Sequence, residues 1–399
     1  MTTWMSRRWA KSVGVLASAL ALSLGASLAP VAPAYAADPP MTADKQDYYN
    51  FYKLKSIHDQ GITGKGVTIA VLDGAVNPNI PELKGANIQD RTPCVMTSAP
   101  ENAAHGTTVA QILVSPEFGV APGATLYTYT IPLYGDSPGS NCTISGWTGE
   151  AVNDTPLLIE QAINDGADII TISSSFGDTE SIDLRWAMAR ALAEGVIVVA
   201  AMGNETTENP TDTLALWRGI CGIGATTRYN SLTEYTNWGN GLLTTALGTV
   251  VTRDVSTGRV EEAEGTSFAT PIIAGFLALG WEHFDEDVSA DQMLQALAVT
   301  GRSGSQWNKL TGYGPADPIA FLRSDPSQYA DENPCVAKNY YEAAPSWDDV
   351  ADYADGVVNP ILIRNDDVYV YRGVNEEAAL SREHGYPTHI GTSPRYHSQ

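Results

Sequence analysis

From Gly61 to about Arg323, short apolar runs alternate with amphipathic stretches, the pattern of a parallel sheet covered by helices. The runs at 67–72, 167–172 and 196–201 are rich in β-branched residues, and each is preceded by a glycine. They read as strands buried on both faces. Residues 181–194 have helical spacing and stop at Gly195, and 154–165 form a second helix with Asn153 or Asp154 as N-cap. A further strand is predicted over 219–227, a hairpin over 250–262 turning at Ser256-Thr257-Gly258, and a long apolar helix over 268–282. The predicted class is α/β, a mostly parallel central sheet with helices on both faces.

In such sheets ligands bind beyond the carboxyl ends of the strands, so the polar residues there are the first functional candidates. They are Asp73 after the first run, Ser173-Ser174-Ser175 after the second, and Asn204 just past the third.

The 399-residue chain carries 46 acidic against 23 basic residues, a formal charge of −23. Phosphate backbones and anionic lipid heads repel a polyanion, which argues against nucleic-acid and membrane-surface partners. No membrane anchor is expected, and the expected state is a monomer. Residues 1–36 have a basic start, an Ala- and Leu-rich apolar stretch and a small-x-small ending at Ala34-Tyr35-Ala36. They are expected to be an export signal cut after Ala36, which predicts a secreted, extracellular protein. The stretch is short for a membrane span. Sec and twin-arginine export both stay open.

Export favours pairing of the four cysteines, and four allow three connectivities. Cys94 and Cys142 both lie in loops flanking the candidate site, which pairs them and leaves Cys221 with Cys335. Residues 37–60 are expected to pack on the core as an N-terminal arm, since Tyr48, Tyr49, Phe51 and Tyr52 are too aromatic for a free tail. Residues 61–323 form the expected main domain and 324–399 a C-terminal extension with a hairpin over 361–371.

Three short segments carry the chemistry. Asp73 follows Ala70-Val71-Leu72, His105 opens His105-Gly106-Thr107-Thr108-Val109-Ala110, and Ser267 lies in Gly265-Thr266-Ser267-Phe268-Ala269-Thr270-Pro271. With Gly119-Val120-Ala121-Pro122-Gly123-Ala124, Ala201-Met202-Gly203-Asn204 and Tyr235-Thr236-Asn237-Trp238-Gly239, they make the chain resemble the subtilisin-like serine proteases over about 61–322. The resemblance implies a subtilisin-like three-layer fold and a secreted serine endopeptidase acting through an acyl-enzyme. Ser267 would be the nucleophile, His105 the base and then the acid, Asp73 the residue orienting it, and Asn204 with the Ser267 N–H the oxyanion hole. Substrate contacts would come from Ser173, Ser174, Ser175 and Gly203. No cofactor is expected. Many relatives bind structural calcium, but no ligand set for it can be assigned here, and Asp348-Asp349 and Asp366-Asp367 read as solvated surface.

The chain departs from the family pattern in two places. Gly74-Ala75 follow the aspartate where a hydroxyl residue and Gly are usual, and Ser173-Ser174-Ser175-Phe176-Gly177 replace Ser-Leu-Gly-Gly. Met202 stands where a small residue is common, so no P1 preference is assigned. Two alternatives therefore stay open: a catalytically impaired binding scaffold, and a narrow processing protease for one exported partner. The stretch between Ala36 and the first strand is too short for the folding propeptide of many secreted relatives.

Overall fold

A computed structural model describes residues 37–142, 154–174, 181–284, 288–302, 306–335, 344–346 and 348–350. The compact unit begins at Ala37. Its strands are β1 (Thr68–Asp73), β2 (Ile88–Asp90), β3 (Met96–Thr97), β4 (Thr125–Thr130), β5 (Ser137–Pro138), β6 (Ile169–Ile172), β7 (Ile197–Ala201), β8 (Cys221–Thr226), β9 (Leu242–Leu247), β10 (Thr249–Arg253) and β11 (Val260–Glu264). Its helices are α1 (Asp47–Phe51), α2 (Leu54–His58), α3 (Pro100–Val114), α4 (Thr155–Asn164), α5 (Ile182–Ala193), α6 (Thr266–His283), α7 (Ala290–Val299) and α8 (Pro318–Leu322).

Seven strands form one sheet in the order β2-β4-β1-β6-β7-β8-β9, and every neighbouring pair in it is parallel. Alternate side chains build two cores. Ile69, Val71, Ile169, Ile197 and Val199 pack with α3 and α6, while Ala70, Leu72, Ile170, Ile172 and Val198 pack with α4 and α5 on the other face. This two-residue period makes three layers from runs that are apolar on both sides. After β1 the chain moves to β4 on one side and returns to β6 on the other, so the strand order reverses at β1 and leaves a crevice at its carboxyl end.

The caps follow the sequence reading. Asp154 accepts from Leu157 N at 2.9 Å, Ser181 caps α5, and Gly195 beyond its end has φ +68°. The predicted hairpin is β10 paired antiparallel with β11. Helix α6 is buried from Thr266 to Gly280, as its apolar composition requires. The sequence reading did not identify β4 and β9. Both are rich in threonine, and Thr128, Thr130, Thr244 and Thr245 are buried all the same.

Residues 37–60 lie on the α3/α6 side of the core. Tyr48 donates to Phe118 O at 3.1 Å and Tyr52 accepts from Leu247 N at 2.9 Å. The buried Arg253 side chain grips the start of this arm, donating to Asp38 O, Pro39 O and the Glu82 carboxylate.

Cys94 and Cys142 form a disulfide. The second expected pair, Cys221 and Cys335, is brought together in the core, with its sulfurs 3.1 Å apart. Asp349 corrects the sequence reading. It is 9% exposed and is held by Arg185 and Ser346, because this part of the extension docks against α5. Burial would raise its pKa, but the bonds from Ser346 and Arg185 outweigh burial and lower it. The hairpin expected at 361–371 and Asp366-Asp367 lie outside the described residues. Among the described residues no helix is long and apolar enough to cross a membrane.

Candidate active site

Asp73 ends β1 at the crevice with its side chain fully buried. Its Oδ1 accepts from His105 Nδ1 at 2.8 Å and from Gly74 N at 2.7 Å, whereas Oδ2 is buried with no hydrogen-bond partner among the described residues. A carboxylate at Nδ1 keeps the proton on that nitrogen and leaves Nε2 as the basic atom. Burial opposes the charged imidazole, but the charge and hydrogen bond of Asp73 outweigh it, so the His105 pKa is raised.

Two glycines seat the histidine helix on the strand end. A Cβ on Gly74 would stand 2.1 Å from Asn102 O, and one on Gly106 would stand 2.2 Å from Gly74 O. Neither position tolerates a side chain while α3 remains where it is. The N-terminus of α3 has no side-chain cap of its own. Asp136 serves from a separate loop, accepting from Ala99 N at 2.8 Å and Asn102 Nδ2 at 2.7 Å.

Ser267 is the second residue of α6, where backbone N–H groups lack helical acceptors and the dipole is positive. Its neighbour Phe268 lies against the His105 ring, with centroids 5.4 Å apart. Asn204 Oδ1 accepts from Thr266 N at 2.8 Å and Thr266 Oγ1 at 3.0 Å, which leaves the Nδ2 donors directed elsewhere. A Cβ on Gly265 would lie 2.9 Å from Ser267 Oγ and 3.4 Å from Asn204 Nδ2. The hydroxyl and the amide thus flank one small space that glycine leaves open. Pro271, which falls in the first turn of the helix predicted over 268–282, is at the sixth position of α6. There its missing N–H leaves the Ser267 carbonyl without its helical donor.

His105, Ser267, Asn204, Ser173, Ser174 and Gly203 line one cleft of about 580 Å³. Ser175 lies outside the described residues. Met202 is fully buried in the α4/α5 core and does not line the cleft. The sequence reading missed Tyr134, Glu101, Glu205 and Glu264, which also line it. Tyr134 is 99% exposed, and such an aromatic on a cleft wall carries no local sequence signal. Among the described residues no three His, Cys, Asp or Glu side chains converge to hold a metal ion, so no step is derived through calcium.

The family model described as the subtilase family matches residues 64–314, about three fifths of the chain, a span that contains Asp73, His105, Asn204 and Ser267. The chain belongs to the subtilase family. This subtilase is 30% identical over 235 residues to Subtilisin E of Bacillus subtilis (strain 168), an alignment covering 57% of this chain and 58% of that protein. It is also 30% identical over 235 residues to the subtilisin of Bacillus pumilus, covering 57% of this chain and 81% of that one. Among solved structures it is similar to MycP1 from the ESX-1 type VII secretion system, with a TM-score of 0.58 and 20% identity over 74% of this chain and 90% of that one. That likeness is one of fold.

Proposed function

We propose that this subtilase is a serine endopeptidase in which Ser267 attacks the peptide carbonyl. His105 Nε2 takes the hydroxyl proton as the Oγ–C bond forms, and the carbonyl electrons move onto oxygen. Asn204 Nδ2 and the Ser267 N–H receive that oxyanion. His105 then hands its proton to the departing amine, leaving an acyl-enzyme that water hydrolyses by the same steps in reverse roles. Asp73 holds the imidazole tautomer and stabilises the imidazolium without taking the proton. The observation that supports this reading best is the shared space over Gly265, bounded by Ser267 Oγ and Asn204 Nδ2, beside a histidine bonded to a buried aspartate at 2.8 Å.

The substrate is a polypeptide, with side chains entering the cleft beside Ser173, Ser174 and Gly203. The protein is a monomer exported by residues 1–36, and its Cys94–Cys142 disulfide suits an oxidising compartment. Labelling with a fluorophosphonate, which reacts with an activated serine, tests the chemistry. Wild type labels and Ser267→Ala does not. A folded but unlabelled wild type favours the impaired scaffold instead, with the orphaned Asp73 Oδ2 as the first suspect. Cleavage of one or two members of a broad peptide library narrows the enzyme to a processing protease. The N-terminus of the protein recovered from the medium is expected to be Ala37.

A further inference from the structure

The loop that carries Asn204 turns away from β7 at Gly203, whose φ is +94°, and its far limb is tied to the 235–238 segment by backbone bonds from Thr206 N and Trp238 N. The near limb, Met202 to Glu205, is held differently. Asn237 is fully buried, lies outside the cleft lining, and places its side chain against this limb. Its Oδ1 accepts from Glu205 N at 3.0 Å and Thr207 N at 2.8 Å. Its Nδ2 donates to Met202 O at 2.9 Å and Glu205 Oε2 at 2.6 Å. Two donors on one side and two acceptors on the other fix the orientation of the amide, and all four hydrogen-bonding positions are filled.

The same Glu205 Oε2 accepts from Asn204 N at 2.9 Å, so the Asn237 amide reaches the Asn204 backbone through one carboxylate. The packing leaves no slack. A Cβ on Gly203 would meet Asn237 Nδ2 at 2.5 Å and Glu205 Oε2 at 2.7 Å. Thr266 fixes the Asn204 side chain from the cleft side, whereas Asn237 fixes the backbone from which that side chain projects.

We propose that Asn237 is a positioning residue of the reaction: with Glu205 it sets the backbone of Asn204, and so the point in the cleft at which the Asn204 amide meets the oxyanion. The inference rests on the protease reading given above. It follows that Asn237 contributes to turnover only through Asn204. Asn237→Asp is nearly isosteric but turns an acceptor toward Met202 O and the Glu205 carboxylate, so the turn must shift.

The test is a double-mutant cycle read in kcat and KM on a peptide substrate, using the mature protein. Asn237→Asp is expected to lower kcat by roughly 10- to 100-fold through misplacement of the amide, with KM within about threefold of wild type. In the Asn204→Ala background the same substitution is expected to change kcat by less than about twofold, because the group it positions is gone. An equal fall in both backgrounds, or a loss confined to KM, overturns the proposal. If Asn237→Asp does not fold, Glu205→Ala, at an exposed position, takes its place in the cycle. A kcat loss that disappears with Asn204→Ala supports the proposal, and one that persists overturns it. Fluorophosphonate labelling of wild type separates the two ideas. A labelled enzyme with an additive cycle removes only the role of Asn237, and an unlabelled one removes both.

Discussion

The carbonyl oxygen of Gly74 lies 2.2 Å from where a Cβ on Gly106 would stand, so the strand that ends in Asp73 and the helix that carries His105 meet backbone to backbone. At the Gly74-Ala75 departure from the family pattern, a Cβ on residue 74 would collide with Asn102 O, and the Gly74 N–H donates to Asp73 Oδ1.

Gly74→Ser, although it restores the common family residue, is expected to lower kcat/KM at least about tenfold by displacing α3 and with it His105. Steady-state kinetics beside a melting curve measure this. An unchanged or faster enzyme would show that α3 has room to move.

With His105 as the proposed base, activity requires its neutral form, and the Asp73 charge holds the imidazolium to higher pH. The acid limb of the kcat/KM profile is therefore expected to have its midpoint above the ordinary histidine value of about 6.5. Asp73→Asn leaves burial unopposed, so the midpoint should move down while the rate falls by about 10⁴-fold. The stability that the pair contributes has the opposite dependence: it is complete below the unfolded pKa and fades as pH rises through the raised folded value.

Arg253 and Glu82 are 2% and 4% exposed and lie 2.7 Å apart, and Arg253 also donates to the backbone of Asp38 and Pro39. Arg253→Ala leaves the buried Glu82 carboxylate without its cation, with the Met41 N–H still donating to it, and takes the Arg253 donors from the Asp38 and Pro39 carbonyls, a loss of about 3–5 kcal/mol. The melting temperature should fall, and limited proteolysis should then cut within 37–60 first. Equal protease resistance would mean that Tyr48 and Tyr52 hold the arm without it.

Burial, aided by repulsion from Asp331, raises the Asp291 pKa to about 6. A carboxyl whose folded pKa lies above its unfolded one binds its proton more tightly when folded, so stability is lost as pH rises from about 4 to 6. Asp291→Asn should raise stability by about 1–2 kcal/mol at pH 8, after allowance for partial exposure, and change little at pH 4. Chemical denaturation at the two pH values compares them.

Strands β1, β6, β7 and β8 were legible because each is a local apolar run, and Asp73, His105, Asn204 and Ser267 came forward as candidates because each sits in a compact motif. What was not legible depends on partners far along the chain. Asp136 capping α3 from 34 residues beyond Asn102 has no local pattern, nor do the buried threonines of β4 and β9 or the Asn237 amide beneath the Asn204 turn. The apolar helix predicted from residue 268 begins at Thr266, so Pro271 lies two positions deeper in it than the sequence pattern gave.

The arm also sets an order of events in folding. Its anchors lie late in the chain: Tyr52 bonds to Leu247, 195 residues on, and Arg253 reaches back 215 residues to Asp38. The arm is synthesised well before its anchors and is thus among the last segments to find its seat, since β9 and the β10–β11 hairpin must exist before it can dock. Until then Tyr48, Tyr52, Leu54 and Ile57 have no core to enter. Whatever accompanies the emerging chain must shield them, and closure of the arm reports that nearly the whole domain has arrived.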